Sequence, residues 1–257
     1  MTKPLLLLVE DAPELGLIVS SLGRRAGCEV AVCPDVPSGW DFLCRRTPRL
    51  LLLDVNLPGV SGLDLCRRAR ATTALAAMAI ALFTHWGLSA DVVAGLEAGA
   101  DYVFSKDLVT RSADWQRRLA EVLSRPHGQR GPVPLTWTPE AGWTGPPADW
   151  VGTLNRALDH PSLRWLGADV QSVLLRRALL QALSSAALGP GSESWLAAGG
   201  TRLDGERVPR PTRPETVANL AVALADQAWR LLGTDASAAF RSALDGVLPG
   251  VSKLWPC

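Results

Sequence analysis

Neither an excess of charge of one sign nor a long hydrophobic run is found in this sequence. Its 257 residues carry 26 Lys and Arg against 25 Asp and Glu, which leaves a formal net charge of +1. This balance gives no overall electrostatic attraction to nucleic acid or to a membrane surface. No apolar stretch reaches the roughly 20 residues that cross a bilayer. The apolar run between Pro4 and Glu10 has only five residues, too few for the core of a signal peptide, so we expect a cytoplasmic protein without a membrane partner.

Cysteine and histidine are both scarce. Five cysteines and three histidines are scattered along the chain, and the cysteines show neither a metal-ligand spacing nor a redox pair. Such a set is typical of a protein kept in the reduced state. The second half has no Cys/His pair, no cluster of metal ligands and no glycine loop that could cradle a phosphate. We therefore expect no separate catalytic domain and do not expect an enzyme.

Four short apolar runs each end at a polar group. Runs of this length are typical of buried strands, and in an open parallel sheet ligands bind in the crevice outside the carboxyl ends of the strands. We therefore expect the polar groups to meet in one crevice. In chain order they are Glu10 and Asp11 after 5–9, Asp54 after 50–53, Thr84 after 78–83 and Lys106 after 101–104.

The chemistry of this set favours phosphoryl transfer. Three converging carboxylates repel one another unless a cation neutralises them, and hard oxygen ligands suit Mg²⁺. The ammonium of Lys106 and the hydroxyl of Thr84 supply the positive charge and the hydrogen-bond donor that phosphoryl oxygens need. Asp54 is the best candidate for a nucleophile, because a turn-rich loop at 57–59 and the start of a helix at 61–62 follow it.

These residues, in this order and at this spacing, resemble the receiver domains of two-component response regulators. The resemblance covers roughly residues 3–124 and implies a doubly wound, five-stranded parallel sheet of the flavodoxin-like type. It implies a phosphoprotein that takes its phosphoryl group from a sensor histidine kinase. The residues that carry the likeness are Glu10, Asp11, Asp54, the loop 57–59, Gly62, Thr84, the segment 97–102 and Lys106.

The resemblance also implies a role for each site residue. Asp54 would be the phosphoacceptor, and Thr84 and Lys106 would engage the phosphoryl oxygens. Mg²⁺ would be held by Asp11, by Asp54 and by the backbone carbonyl of Asn56, with Glu10 acting through water.

Three positions depart from the family pattern. Asp107 stands where many receivers have a proline, and Val103 stands where an aromatic residue usually reports phosphorylation. Strand alternation would place Tyr102 and Phe104 on one face and Val103 on the other. After Thr84, where the family often has a small residue, this chain has His85, read here as a surface loop residue, and then Trp86.

Strands and helices are predicted to alternate through the first half, which is typical of a parallel sheet with helices on both faces. Trp115, Leu119, Val122 and Leu123 share one helical face, which predicts a core position. We predict strands at 5–9, 29–33, 50–54, 78–83 and 101–104, and helices at 13–26, 36–46, 62–72, 87–98 and 109–124.

The chain is predicted to divide into a receiver domain at 1–124, a linker rich in proline, glycine and tryptophan at 125–150, and a mainly α-helical output domain of unknown type at 151–257. Because the linker carries Trp137, Trp143 and Trp150, we expect it to pack against a domain rather than to be free. In the last part we predict helices from Asp149 to 158, from Leu163 with Ser162 as its cap to 187, from 214 to 233 and from 236 to 247. An Asp-Gly turn predicts a hairpin at 201–208.

Three functions fit these observations. The first is a response regulator whose helical output domain binds protein, either a second copy in a homodimer or another partner. The second is a response regulator that binds DNA through the region Arg202–Arg213, where arginines could meet phosphates. The third is a scaffold that uses the receiver fold without phosphorylation.

Overall fold

The computed structural model describes residues 3–85, 89–125, 145–164, 166–185, 192–208 and 214–251. The chain divides into two compact units, Met1–Arg130 and Gly131–Cys257. Most of the predicted linker, with Trp137 and Trp143, lies outside the described residues, so its packing and the boundaries at 124 and 150 stay predictions.

The first unit is a five-stranded parallel sheet flanked by helices, with the strand order β2-β1-β3-β4-β5. This confirms the predicted doubly wound fold. The strands are β1 (Leu5–Val9), β2 (Glu29–Cys33), β3 (Leu50–Leu53), β4 (Ala79–Thr84) and β5 (Tyr102–Ser105), and the helices are α1 (Pro13–Arg25), α2 (Val36–Leu43), α3 (Gly62–Ala71), α4 (Ser89–Glu97) and α5 (Ser112–Ser124).

The core of this unit is the sheet itself. Strands β1 and β3 consist only of leucine and valine and are wholly buried, as expected for strands covered by helices on both faces. Strand β2 lies at the edge and is half exposed. Helix α5 buries Trp115, Leu119 and Val122, which confirms their predicted core position.

Helix α2 ends at Leu43 instead of 46, and several other boundaries differ from the prediction by one to three residues. Two of the differences lie next to the strand-end residues. Strand β4 includes Thr84, so the threonine is the last strand residue rather than the first loop residue. Helix α5 begins at Ser112 instead of 109 because a 3₁₀ turn, Lys106–Thr110, comes first. The hydroxyl of Ser105 accepts a hydrogen bond from the Asp107 amide at 3.1 Å, and this cap stabilises the turn.

The second unit is mainly helical, as predicted. Its helices are α6 (Trp150–Leu158), α7 (Pro161–Arg164), α8 (Ala168–Ser185) and α9 (Pro214–Leu244). Asp149 caps α6 by accepting a hydrogen bond from the Gly152 amide at 3.2 Å. Helix α9 contains a break at Gly233, where φ is 82° and ψ is 179°, so its two segments correspond to the two helices predicted there.

Two predictions in this unit were wrong. The single helix expected at 163–187 is divided into α7 and α8 by Gly167, whose φ of 82° does not continue a helix. The hairpin expected at 201–208 does not form, because Leu203 makes an antiparallel bridge to Leu196 instead. The amide of Asp204 donates to the Trp195 carbonyl at 2.7 Å, so the pairing partner precedes the turn. This pairing lets both leucines be buried.

Helices α8 and α9 pack together around an alanine- and leucine-rich core. Within the described ranges, no helix combines the length and the apolar character that crossing a membrane requires.

Candidate functional site

The predicted polar groups lie at the carboxyl ends of four strands. Asp54 follows β3, Thr84 ends β4, and Lys106 follows β5, so in the strand order Thr84 lies between the other two. Glu10 and Asp11 follow β1, which neighbours β3. The parallel sheet therefore brings residues separated by almost a hundred positions to one edge.

Lys106 joins the two buried carboxylates of this edge. Its Nζ donates hydrogen bonds to Asp54 Oδ2 at 2.8 Å and to Glu10 Oε1 at 3.1 Å. The oxygens of Glu10, Asp54 and Asp11 lie within 4.8 Å of one another, and only Asp11 is exposed. Thr84 is buried at the end of β4, the strand next to β3. The site is thus a lysine and three carboxylates that open to solvent on the Asp11 side.

Backbone contacts hold Asp54 in place. Its amide donates to the Val9 carbonyl at 3.0 Å, and its Oδ1 accepts from the Asn56 amide at 3.1 Å. Helix α3 approaches so closely that a Cβ on Gly62 would lie 1.9 Å from the Asp54 carbonyl oxygen. The position therefore requires glycine.

Electrostatics in the site follow from burial. Burial, together with the nearby charge of Asp54, raises the pKa of Glu10, although Lys106 opposes this shift. For Lys106, burial alone would lower the pKa, but the hydrogen bonds to Asp54 and Glu10 outweigh it and the net pKa is raised. The lysine therefore stays charged between its two acidic partners at neutral pH.

The donor set fits a hard divalent cation. Glu10 Oε2 is buried and accepts no hydrogen bond from the described residues, although it lies 2.9 Å from Lys106 Nζ in an ion-pair contact. Three carboxylates whose oxygens lie within 4.8 Å of one another, two of them buried, match the all-oxygen coordination of Mg²⁺. The participation of the Asn56 carbonyl stays a prediction.

Contacts at the rim of the site include residues that sequence reasoning missed. His85 Nδ1 lies 3.2 Å from Asp107 Oδ1, and Asn56 Nδ2 donates to Asp91 Oδ2 at 2.9 Å. Asp91 could not be singled out from the sequence, because it lies in the first turn of α4 and acidic residues are common in the first turn of any helix. Ser105 had one, since a serine two residues before an aspartate at a strand end is typical of a capped turn. Trp86 lies outside the described residues.

The strand that precedes Lys106 has no exposed aromatic residue. Tyr102, Val103 and Phe104 are all buried. The Arg118 guanidinium lies 6.0 Å from the Tyr102 ring centroid and 5.6 Å from that of Phe104, so both rings face α5, as alternation predicted. Phe104 also meets the Trp115 ring edge-to-face at 6.5 Å.

Residues 6–113 match the response regulator receiver domain family. Transcriptional regulatory protein AfsQ1 of Streptomyces coelicolor is 38% identical over 122 residues, which cover 48% of this chain and 52% of that protein. DNA-binding response regulator MtrA of Mycolicibacterium smegmatis is 37% identical over 128 residues, which cover 46% of this chain and 55% of that protein. The chain therefore spans about half the length of these relatives.

Among solved structures, this chain is similar to a putative response regulator from Chloroflexus aurantiacus. It is 27% identical and its TM-score is 0.44, with 48% of this chain and 100% of that chain covered.

The sheet order and the family match define the first unit as a flavodoxin-like receiver domain. Residues 6–113 belong to the receiver family of two-component response regulators, which confirms the family predicted from the strand-end residues.

Proposed function

We propose that this protein is a two-component response regulator whose Asp54 accepts a phosphoryl group from a sensor histidine kinase. The observation that carries the proposal is the contact of Lys106 Nζ with Asp54 Oδ2 at 2.8 Å, beside the Glu10 and Asp11 carboxylates. A buried aspartate held by a lysine at the open edge of a receiver sheet has the nucleophile and the positive charge that phosphoryl transfer needs.

The reaction is an in-line displacement. An Asp54 carboxylate oxygen attacks the phosphorus of a phosphohistidine, and the new O–P bond forms as the donor N–P bond breaks and the histidine nitrogen takes the electron pair. Lys106 then exchanges its hydrogen bond to Asp54 for one to a phosphoryl oxygen, and the Thr84 hydroxyl donates to another. Asp11, Asp54, the Asn56 carbonyl and, through water, Glu10 would hold Mg²⁺, which would neutralise charge on the phosphoryl group.

Phosphorylation of Asp54 can be tested with the purified chain. Incubation with Mg²⁺ and acetyl phosphate, a small phosphodonor, is expected to add the mass of one phosphoryl group to the intact protein. Asp54→Asn should abolish the addition, because the amide is not a nucleophile here. Asp64→Asn serves as the control, since Asp64 is exposed on α3 and pairs with Arg67. An unmodified wild-type protein, or equal labelling of the Asp54→Asn variant, would contradict the proposal and favour a scaffold that is not phosphorylated.

For the output we propose control of transcription through DNA binding by the second unit. The support is that the relatives AfsQ1 and MtrA are named as a transcriptional regulator and a DNA-binding response regulator. The predicted contact region is Arg202–Arg213, of which Arg210 and Arg213 lie outside the described residues. Binding to a labelled duplex should weaken steeply as salt rises, because phosphate contacts release counterions.

One observation weighs against the DNA contact and keeps protein binding as the second candidate. Arg202 contacts Asp159 at 2.7 Å, and Arg207 contacts Asp204 at 3.0 Å. Arginines already neutralised by carboxylates attract phosphates less strongly. If no duplex binds even at low salt, and the size of the protein in solution changes on phosphorylation, the output is assembly with protein and the DNA proposal fails. Loss of DNA binding in Arg202→Ala, with phosphorylation intact, would support the DNA proposal.

A further inference from the structure

Two residues that depart from the family pattern contact each other at the rim of the site. His85 directly follows Thr84, and Asp107 directly follows Lys106. His85 Nδ1 lies 3.2 Å from Asp107 Oδ1 although 22 positions separate the residues. Together they form one connection between the segments that follow β4 and β5.

The connection continues the sheet beyond its last paired residues. Thr84 and Ser105 are the final partners of β4 and β5. Beyond them the described residues form no further ladder pair between these strands. The His85–Asp107 contact, here named the rim bridge, joins the two segments one residue after Thr84 and two residues after Ser105.

Asp107 is held on its other side by Ser105. The Ser105 hydroxyl donates to Asp107 Oδ2 at 3.2 Å and accepts from the Asp107 amide at 3.1 Å. One carboxylate oxygen thus faces His85 and the other faces Ser105. Lys106 lies between Ser105 and Asp107 in the chain, so its backbone is fixed from both neighbours.

We propose that His85 and Asp107 are positioning residues that hold Thr84 and Lys106 at the separation needed to grip one phosphoryl group. The inference rests on the proposed function, because the gripping contacts exist only if Asp54 is phosphorylated. Here the Ser105–Asp107–His85 connection orients the lysine loop at the position where many receivers have a proline. Neither rim side chain touches the reacting atoms, so both act through Lys106 and Thr84.

The rim bridge can be removed without disturbing the core. The His85 and Asp107 side chains are 62% and 56% exposed, and exposed pairs contribute little to stability. His85→Ala and Asp107→Ala should each leave the thermal midpoint unchanged. Each should slow phosphorylation by acetyl phosphate about threefold, a modest effect in keeping with an exposed pair. The double variant should be no slower than the slower single variant, because both changes break one contact.

A conservative replacement of His85 distinguishes the effect of its hydrogen bond from the effect of its side-chain volume. His85→Asn keeps an N–H donor near the place of Nδ1 and should restore most of the rate lost in His85→Ala. Glu29→Gln is the matched control: it breaks an exposed ion pair of 2.7 Å with Arg46 on the edge strand, and should leave the rate unchanged.

A second measurement needs neither metal nor phosphate. In the metal-free protein, amide hydrogen exchange at 105–107 should be faster in both alanine variants than in the wild type, since the cap loosens with the bridge. If the wild type is phosphorylated but both alanine variants show its exchange and its phosphorylation rate, the proposed role of the rim bridge is wrong and the proposed function stands. A wild-type protein that takes no phosphoryl group would overturn the proposed function instead, and the exchange result would still report whether the bridge exists.

Discussion

Both units bury charged side chains, but the hydrogen bonding of these side chains differs between the units. In the first unit the cluster of Glu10, Asp54 and Lys106 borders solvent at Asp11. There Glu10 Oε2 has an ion-pair contact of 2.9 Å with Lys106 Nζ but accepts no hydrogen bond from the described residues. In the second unit Asp226 is fully buried between α8 and α9, where Arg230 Nε donates to its Oδ2 at 2.7 Å.

Further polar groups complete the second cluster. Gln181 Nε2 lies 3.4 Å from the same Asp226 oxygen, and Gln227 Nε2 donates to Gln181 Oε1 at 2.6 Å. A buried charge surrounded by its own donors has nothing left to offer a ligand, whereas an incompletely satisfied one at an edge does. The comparison indicates that the hydrogen bonding of a buried carboxylate, more than its burial, distinguishes a binding site from a structural network.

The largest expected effect comes from breaking the second cluster. Asp226→Ala leaves the Arg230 charge buried without its carboxylate, and removing one partner of a buried pair costs about 3–5 kcal/mol. The second unit should therefore unfold at markedly lower urea concentration. Phosphorylation of Asp54 should be unaffected, because this network belongs to the other unit.

A double variant gives the control for that experiment. Asp226→Leu combined with Arg230→Met removes both charges and should recover much of the stability, as apolar replacements of buried pairs often do. If Asp226→Ala were as stable as the wild type, or if it lost phosphorylation while folded, the network would not be purely structural and the comparison would fail.

A smaller effect is expected at Gly62, where the backbone and the site meet. In Gly62→Ala the new Cβ would overlap the Asp54 carbonyl, 1.9 Å away, so helix α3 or the Asp54 loop must shift. Overpacking of this kind costs about 1–3 kcal/mol. Because the shift moves Asp54 itself, the phosphorylation rate should fall as well, which a mass-spectrometric time course would record.

Gly16→Ala is the matched helical control. Its Cβ would meet only a Val32 methyl group at 3.2 Å, a side chain that can adjust, and alanine favours helix over glycine. The variant should be at least as stable as the wild type. Equal losses in both glycine variants would show that close approach to Asp54 is not what requires glycine at position 62.

The parts predicted from sequence are those with a strong local signal. Strands such as 50–53 are uniformly apolar, and their order along the chain predicted both the sheet and the convergence of Asp54 with Lys106. The helix break at Gly167 was missed because an apolar helical pattern continues across it. The rim bridge was missed for another reason: contacts between two loops leave no periodic pattern in the sequence.

The smallest expected effect is a pH dependence that comes from the burial of Glu10. Its pKa is raised from 4.5 by burial and by the charge of Asp54, against the opposing effect of Lys106. Glu10 therefore binds a proton more tightly in the folded chain than in the unfolded chain. Its contribution to the free energy of unfolding falls as pH rises from 4.5 through the raised pKa. Glu10→Gln removes this dependence, and its stability relative to the wild type should increase over that window and then level off. The contribution of Lys106 does not interfere, because its raised pKa makes that contribution constant below 10.5.

Urea unfolding of the metal-free protein across this pH range measures the difference, and Glu29→Gln supplies a control of opposite sign. Arg46 lowers the pKa of Glu29 through a hydrogen bond, so the contribution of that carboxylate is present above 4.5 and is lost as pH falls through its lowered pKa. Relative to the wild type, Glu29→Gln should therefore lose stability as pH rises, where Glu10→Gln gains it. If both variants shifted in the same direction, Glu10 would be as well satisfied as an ordinary surface ion pair. The contrast between an open site and a closed network would then rest on exposure alone.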